Sequence, residues 1–495
     1  MAVKQKCWYK AHFLDTERLG IVVCLGYHVG LAQWIVGRGL EKDGAMATAV
    51  LGLFAVTLLA CSLLGVPTVW PLLGGAVLFF GYGVAQGHSW LDMARGALSS
   101  VHTVGKILVT FLFIGVLTAM WRASGTIVYI VDITSGMCSG PVILLATFLL
   151  CCLMSFLTGT SFGTAVTMGT ICAFIATNAG VPTLLAGGAV LSGSYFGDRC
   201  SPVSTSSLLV ATLTGTSVPN NIPGMMRSSF VPFMLACVLF LGMGVLTDAG
   251  ADAGSIAGLS GQKAVGDTQI AAGFNLTPWE LVPAILVLGL SLLRLDVWIV
   301  LAAGAVSAAV LACVCQGMDV PDVALACVTG FSPLPGQSSL MAGGGIVSML
   351  AVAVIVLVSS TYAGIFEQTH MLDGVRDSVA KIAARFGSFA AVLLASTACA
   401  VVCCNQSLTI MLGHQLSRGC EPDAGKFALQ LEDTAVVVSA LVPWSIACAV
   451  PLAAVGAPSA SAFFAFYLWL VPAWNLGVEL VRFRREQAAA RVDAR

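Results

Sequence analysis

The chain has 495 residues, of which 58% are apolar and 9% are charged, with a net charge of −1. Soluble domains carry roughly 25% charged residues, so these residues cannot clothe a chain of this size in water, and the missing polar surface must face lipid. The near-zero net charge also removes nucleic acid as an implied partner.

In chain order, the N-terminal stretch MAVKQKCWYKAHFLDTERLG carries Lys4, Lys6, Lys10 and Arg18. Its apolar run starts too late for a signal peptide and continues into a full span. No Asp, Glu, Lys or Arg lies between Asp43 and Asp92, between Asp132 and Asp198, or between Arg199 and Arg227. The stretches from Asp322 to Glu367 and from Asp433 to Glu479 are equally bare. A spanning helix takes about 20 mostly apolar residues, so several gaps hold more than one. The runs are continuous rather than alternating, which selects helices over a barrel. The C-terminal tail carries Arg482, Arg484, Arg485, Arg491 and Arg495. Basic flanks favour the cytoplasm, so both ends are expected inside a bacterial inner membrane after an even number of crossings.

Landmarks recur in the same order along two halves. Val69-Trp70 followed by Gly75-Ala76-Val77 is echoed by Val297-Trp298 and Gly304-Ala305-Val306. Gly87 with Asp92 is echoed by Gly317 with Asp322, both Asp residues being read as helix-end positions. Small-residue breaks are expected at Ala123-Ser124-Gly125-Thr126 and at Tyr362-Ala363-Gly364-Ile365. Polar, uncharged breaks follow at Thr158-Gly159-Thr160-Ser161 and at Asn405-Gln406-Ser407, and then an acidic or Asp/Arg pair, Asp198-Arg199 or Glu432-Asp433. The expected organisation is an N-terminal transmembrane repeat over 1–247, a polar inter-repeat loop over 248–276 and a C-terminal transmembrane repeat with a basic tail over 277–495.

The stretches Leu157–Thr170 and Ser201–Pro219 are apolar enough to enter the membrane but rich in Gly, Ser and Thr. Where helices break there, freed carbonyls and hydroxyls can hold a dehydrated cation, and broken backbone at membrane depth must line protein or a cavity. The plainer alternative is close helix packing with Ser and Thr bonding across helices. Asp198 and Arg199 are the only charges in residues 133–226, and Glu432 and Asp433 are the only ones between Lys426 and Glu479. A charge inside the bilayer costs roughly 2.5–3.5 kcal/mol on insertion scales, so a buried carboxylate marks an ion path, holding a proton or a cation in turn. The alternative places these acids in loops at the membrane surface.

The 17 cysteines show no metal-binding spacing and read as small packing residues. The histidines form no HExxH or triad-like pattern. Gly425-Lys426 is followed by Phe427, so no phosphate-binding GxxxxGK[ST] loop is present. An enzyme is therefore not expected, and neither is a cofactor, although sodium could enter as a coupling ion.

Five stretches resemble the NhaC family of sodium/proton antiporters: IGVLTAMWRASGTI (114–127), GDRCSPVSTSS (197–207), YAGIFEQTHML (362–372), CNQSL (404–408) and LEDTAVVVSALVPW (431–444). The resemblance runs from about residue 45 to 480. It implies an all-α polytopic integral membrane fold of two inverted repeats with broken or re-entrant helices and about 10–14 membrane segments. It also implies ion-coupled antiport. Asp198, Ser201, Pro202 and Ser204 would belong to one half-site, and Asn405, Gln406, Glu432, Asp433, Pro443 and Trp444 to the other. With the neighbouring polar residues, the expected ion- or substrate-binding set is Asp198, Ser201, Ser204, Thr205, Thr160, Ser161, Asn405, Gln406, Ser407, Glu432 and Asp433, with Asp198 and Asp433 as sodium ligands. The family pattern has an acid where this chain has Thr205 and Asn where it has Ser445, and losing a carboxylate weakens a hard-cation site. The alternative is therefore an ion-coupled exchanger of a small organic acid or amino acid, with Arg199 pairing a substrate carboxylate. Expected partners are the bilayer, the small ion or solute and, for assembly, a second copy of the chain.

Overall fold

The computed structural model describes residues 44–63, 69–103, 105–135, 140–253, 274–293, 295–333, 342–369 and 373–493. The basic N-terminal flank and the middle of the inter-repeat loop lie outside them. The described chain is all-α, apart from an isolated bridge between Phe331 and Gly343.

The first half runs α1 (Gly44–Leu63), α2 (Val69–Ala85), α3 (Trp90–Thr103), α4 (Gly105–Ala123), α5 (Thr126–Ser135) and α6 (Gly140–Thr158). Next come α7 (Ser161–Thr164), a π turn over Ala165–Gly169, α8 (Thr170–Asn178), α9 (Thr183–Cys200), α10 (Thr205–Thr214) and α11 (Val218–Ala253). The second half runs α12 (Val282–Leu292), α13 (Val297–Val314), α14 (Val320–Thr329), α15 (Leu350–Thr369), α16 (Asp373–Phe386) and α17 (Ser388–Cys403). It closes with α18 (Gln406–Ser417), α19 (Ala424–Asp433), α20 (Ala435–Val438), α21 (Ile446–Ala454) and α22 (Phe466–Asp493). Asp92 and Asp322 lie in the first turns of α3 and α14, as the helix-end reading expected.

Val218–Thr247, Val297–Val314 and Ile346–Phe366 are long and apolar enough to cross a membrane, and shorter apolar helices such as Val69–Ala85 and Val142–Thr158 accompany them. α11 leaves Phe230, Val238 and Leu246 exposed, which in a bilayer is lipid-facing surface. The chain is thus a multi-pass membrane protein.

The halves do not form separate bodies. Phe54, Phe79 and Met93 of the first half share a core with Tyr362 and Phe366 of the second, and the Tyr362 hydroxyl donates to the Leu72 carbonyl. A second core joins Phe111, Ile114 and Trp121 to Val287, Leu301 and Ala305. α2 and α3 pack on α15, while α13 and α14 pack on α4. Each half therefore buries the apolar faces of the other.

Two expectations need correction. Gly125, at φ 80°, breaks the chain between α4 and α5, but Tyr362–Ile365 lies inside α15. Gly364 keeps a helical φ there, so a glycine between apolar residues did not stop the helix. The inter-repeat loop also starts later than expected, because residues 248–253 continue α11.

α9 reaches the core by close packing on α6. A Cβ on Gly193 would meet Cys151, and one on Gly197 would lie 2.1 Å from the backbone of Ser155 and Phe156. Small residues let the two backbones touch, and this contact fixes the end of α9 that carries Asp198.

Candidate functional site

Four departures from helix meet in two pairs. Gly159, at φ 70°, ends α6, and Thr160 precedes Ser161, the first residue of α7. A Cβ on Gly159 would lie 2.8 Å from the Val203 backbone, so this break rests on the link between α9 and α10. That link ends at Ser204, which caps α10 by accepting from Ser207 N at 3.2 Å. In the second half Cys404 adopts φ 55°, the only positive φ at a non-glycine residue among those described. Asn405 caps α18, its side-chain oxygen accepting from Ser407 N and Leu408 N. The Cys404 carbonyl accepts from Ile446 N at 2.8 Å, which ties this break to the link before α21, where Ser445 is the cap. Backbone freed at this depth is thus satisfied by caps and by the neighbouring break.

Asp198 lies in the last turn of α9 and is 3% exposed. Gln406 Nε2 donates to its Oδ2 at 2.8 Å, and Ser161 and Ser206 face the same carboxylate. Ser161 and Gln406 are the first helical residues after the two breaks, one from each half. The Asp198 carbonyl accepts from the hydroxyls of Ser204, Ser206 and Ser207. One turn earlier, the Tyr195 hydroxyl donates to the Ala447 carbonyl at 2.8 Å, pinning α9 to α21.

Around this carboxylate the expected residues divide. Ser161 and Gln406 reach it, and Ser204 holds the backbone beneath it. Ser201 is buried but accepts from Val203 N at 3.3 Å, a turn-forming bond. Thr160 and Asn405 occupy cap positions, while Thr205 and Ser407 are exposed. Ser206 and Tyr195 were not singled out from sequence. The Ser201–Ser207 run did signal Ser206, but its register on α10 could not be read before the cap at Ser204 was known.

A second buried cluster surrounds Arg199, which is 0% exposed. Its Nη2 pairs with Asp433 and donates to Ser228 Oγ at 2.6 Å. Its Nη1 donates to the Met225 carbonyl at 3.2 Å and to Ser229, and its Nε donates to the Glu432 carbonyl at 3.2 Å. Ser229 also bonds Tyr467 of α22 at 2.8 Å. Glu432 is buried, and neither of its carboxyl oxygens has a hydrogen-bond partner; the nearby Ser207 hydroxyl donates instead to the Arg199 carbonyl at 2.7 Å. Among the described residues, no three His, Cys, Asp or Glu side chains are grouped to hold one metal ion. Asp198 is bonded by Gln406, while Asp433 is paired with Arg199.

Broken helices from two halves, meeting at a buried acid inside a multi-pass bundle, define a secondary transporter rather than an enzyme. The chain belongs to the Na+/H+ antiporter family, whose profile matches residues 44–223 and 212–478. It is a secondary active transporter of the NhaC cation/proton antiporter type. Among curated proteins it is similar to the Na(+)/H(+) antiporter NhaC of Bacillus subtilis (strain 168), at 26% identity over 83% of this chain and 90% of the relative. It is also similar to the malate-2H(+)/Na(+)-lactate antiporter of the same organism, at 28% over 65% of this chain and 69% of the relative. The arginine/ornithine antiporter ArcD of Halobacterium salinarum matches at 25% over 84% of this chain and 88% of the relative.

Proposed function

We propose that this protein exchanges sodium for protons at Asp198, with both termini on the cytoplasmic side of a bacterial inner membrane. The observation that carries this is the placement of one buried carboxylate between Ser161 and Gln406, the first residues after the two breaks. A carboxylate flanked by hydroxyl and amide groups binds a hard cation only when deprotonated, so sodium and proton compete for the same oxygens. Alternating exposure of that acid to the two sides would complete the exchange. Thr160, Ser161, Ser201, Ser204, Asn405 and Ser407 shape or flank the breaks, Glu432 is a second buried acid beside the site, and the assembly is a homodimer.

The second reading, exchange of an organic acid or amino acid, gains support from the names of two relatives. It is weakened by Arg199, the guanidinium nearest Asp198 in sequence, whose donors are all directed at protein acceptors. The test uses purified protein in liposomes with imposed sodium and pH gradients. Sodium-driven proton movement that Asp198→Asn abolishes is expected, with the variant still folded. Solute-dependent flux that needs malate, lactate, arginine or ornithine, without sodium–proton exchange, would replace this reading with the second.

A further inference from the structure

We propose that Asp433 is the fixed counter-ion of Arg199 rather than a cation ligand, so that a neutralised pair and not a bare guanidinium stands beside Asp198. The inference rests on the reading of Asp198 as the exchanging acid. Arg199 is fully buried and follows Asp198 directly in the chain. Its donors reach three other helices: α11 at Met225, Ser228 and Ser229, α19 at the Glu432 carbonyl and Asp433, and α22 at Tyr467. Asp433 Oδ1 accepts from both Arg199 and Ser228, the latter at 3.1 Å. An oxygen engaged by a guanidinium has little left to offer a sodium ion. Among the described residues, no three His, Cys, Asp or Glu side chains are grouped to hold one metal ion.

The pair also solves an electrostatic problem. A buried guanidinium without its counter-charge, one residue from Asp198, would repel an arriving cation through a low-dielectric interior. Removing one member of a buried pair is far more damaging than replacing both. A ligand and a counter-ion therefore behave oppositely in a double variant.

The experiment is a cycle of Asp433→Asn, Arg199→Gln and the double variant, read by sodium KM and maximal rate in proteoliposomes and by the thermal midpoint of purified protein. Asp433→Asn is expected to raise the sodium KM by about tenfold or more. The double variant is expected to return KM to within about threefold of wild type and to recover most of the lost thermal midpoint. A folded double variant that transports no better than Asp433→Asn would overturn the proposal, since a lost ligand is not restored by losing its neighbour. The thermal cycle decides independently of transport: strictly additive losses would show that the two side chains do not act as a pair. Absence of sodium–proton exchange in the wild type would instead count against the antiport reading, and the thermal cycle would still report on the counter-ion.

Discussion

Gly197→Ala tests the packing that places Asp198. The added Cβ would lie 2.1 Å from Phe156 N and 2.1 Å from the Ser155 carbonyl carbon, against an ordinary contact of 3.4–4 Å, so α6 and α9 must separate by about 1.3 Å. Both obstructing atoms are backbone, and no side chain can swing aside to absorb the strain. Overpacking costs about 1–3 kcal/mol, and a backbone clash belongs at the upper end. A displacement of about 1 Å at a reacting group lowers activity roughly a hundredfold. The assay pairs the thermal midpoint in detergent with sodium-driven proton uptake in proteoliposomes. Gly242→Ala is the control, because nothing lies within 4 Å of its Cβ position; a helix-interior exchange there favours the fold by up to about 1 kcal/mol. Normal stability in Gly197→Ala would refute the clash. Lowered stability with undiminished transport would refute the link between the α6–α9 contact and the position of Asp198.

Asn405→Ala removes the cap of α18 and should lower stability by about 1 kcal/mol, read as a drop in thermal midpoint that Asn405→Asp largely avoids. Gln406→Leu removes the donor to Asp198 Oδ2, which weakens the ionised form, so the acid limb of the transport profile should move to higher pH; an unmoved profile would show that the bond is dispensable. Protons and sodium compete at Asp198, so the wild-type sodium KM should rise as pH falls, by up to about tenfold per unit on the acid side, while the maximal rate at saturating sodium holds. Thr205 is exposed, and Thr205→Ala should leave sodium KM within about twofold of wild type.

The features legible from sequence were those that lipid penalises most. Long charge-free runs pointed to spans, and isolated charges within them pointed to an ion path, with loops at the membrane surface as the alternative. Local chemistry also marked the break at Gly159, where glycine takes φ 70°. Cys404 takes a positive φ without being glycine, and only the adjacent Asn405 cap hinted at it. Tyr362–Ile365 carried the same small-residue signal as Ala123–Thr126 yet stayed helical, because tertiary packing against the Leu72 carbonyl and the Phe54–Phe79 rings holds that turn in place. The partner of Arg199 could not be read at all. Asp433 lies far along the chain, and the contact depends on how α9 meets α19, which no local pattern encodes.

The two breaks share their local spacing, but the site between them is asymmetric. The capped links align as Pro202-Val203-Ser204 and Pro443-Trp444-Ser445, each leading into a short helix and, beyond it, a long one. Counted back from those prolines, Asp198 stands where the later stretch has Ser439, so Asp198-Arg199 and Glu432-Asp433 follow their breaks in the same order but not at matching positions. Ser439 donates to the Val436 carbonyl at 2.9 Å and so contributes a local hydrogen bond rather than a charge. Ser161 and Gln406 stand at matching places, two residues after Gly159 and Cys404, and both face the same acid. Two breaks, one from each part of the chain, thus flank a carboxylate that only α9 supplies. The buried Asp433 is paired with Arg199, and Asp198 is the acid that both post-break residues reach. A lone carboxylate of that kind carries a charge that either a proton or a cation can neutralise.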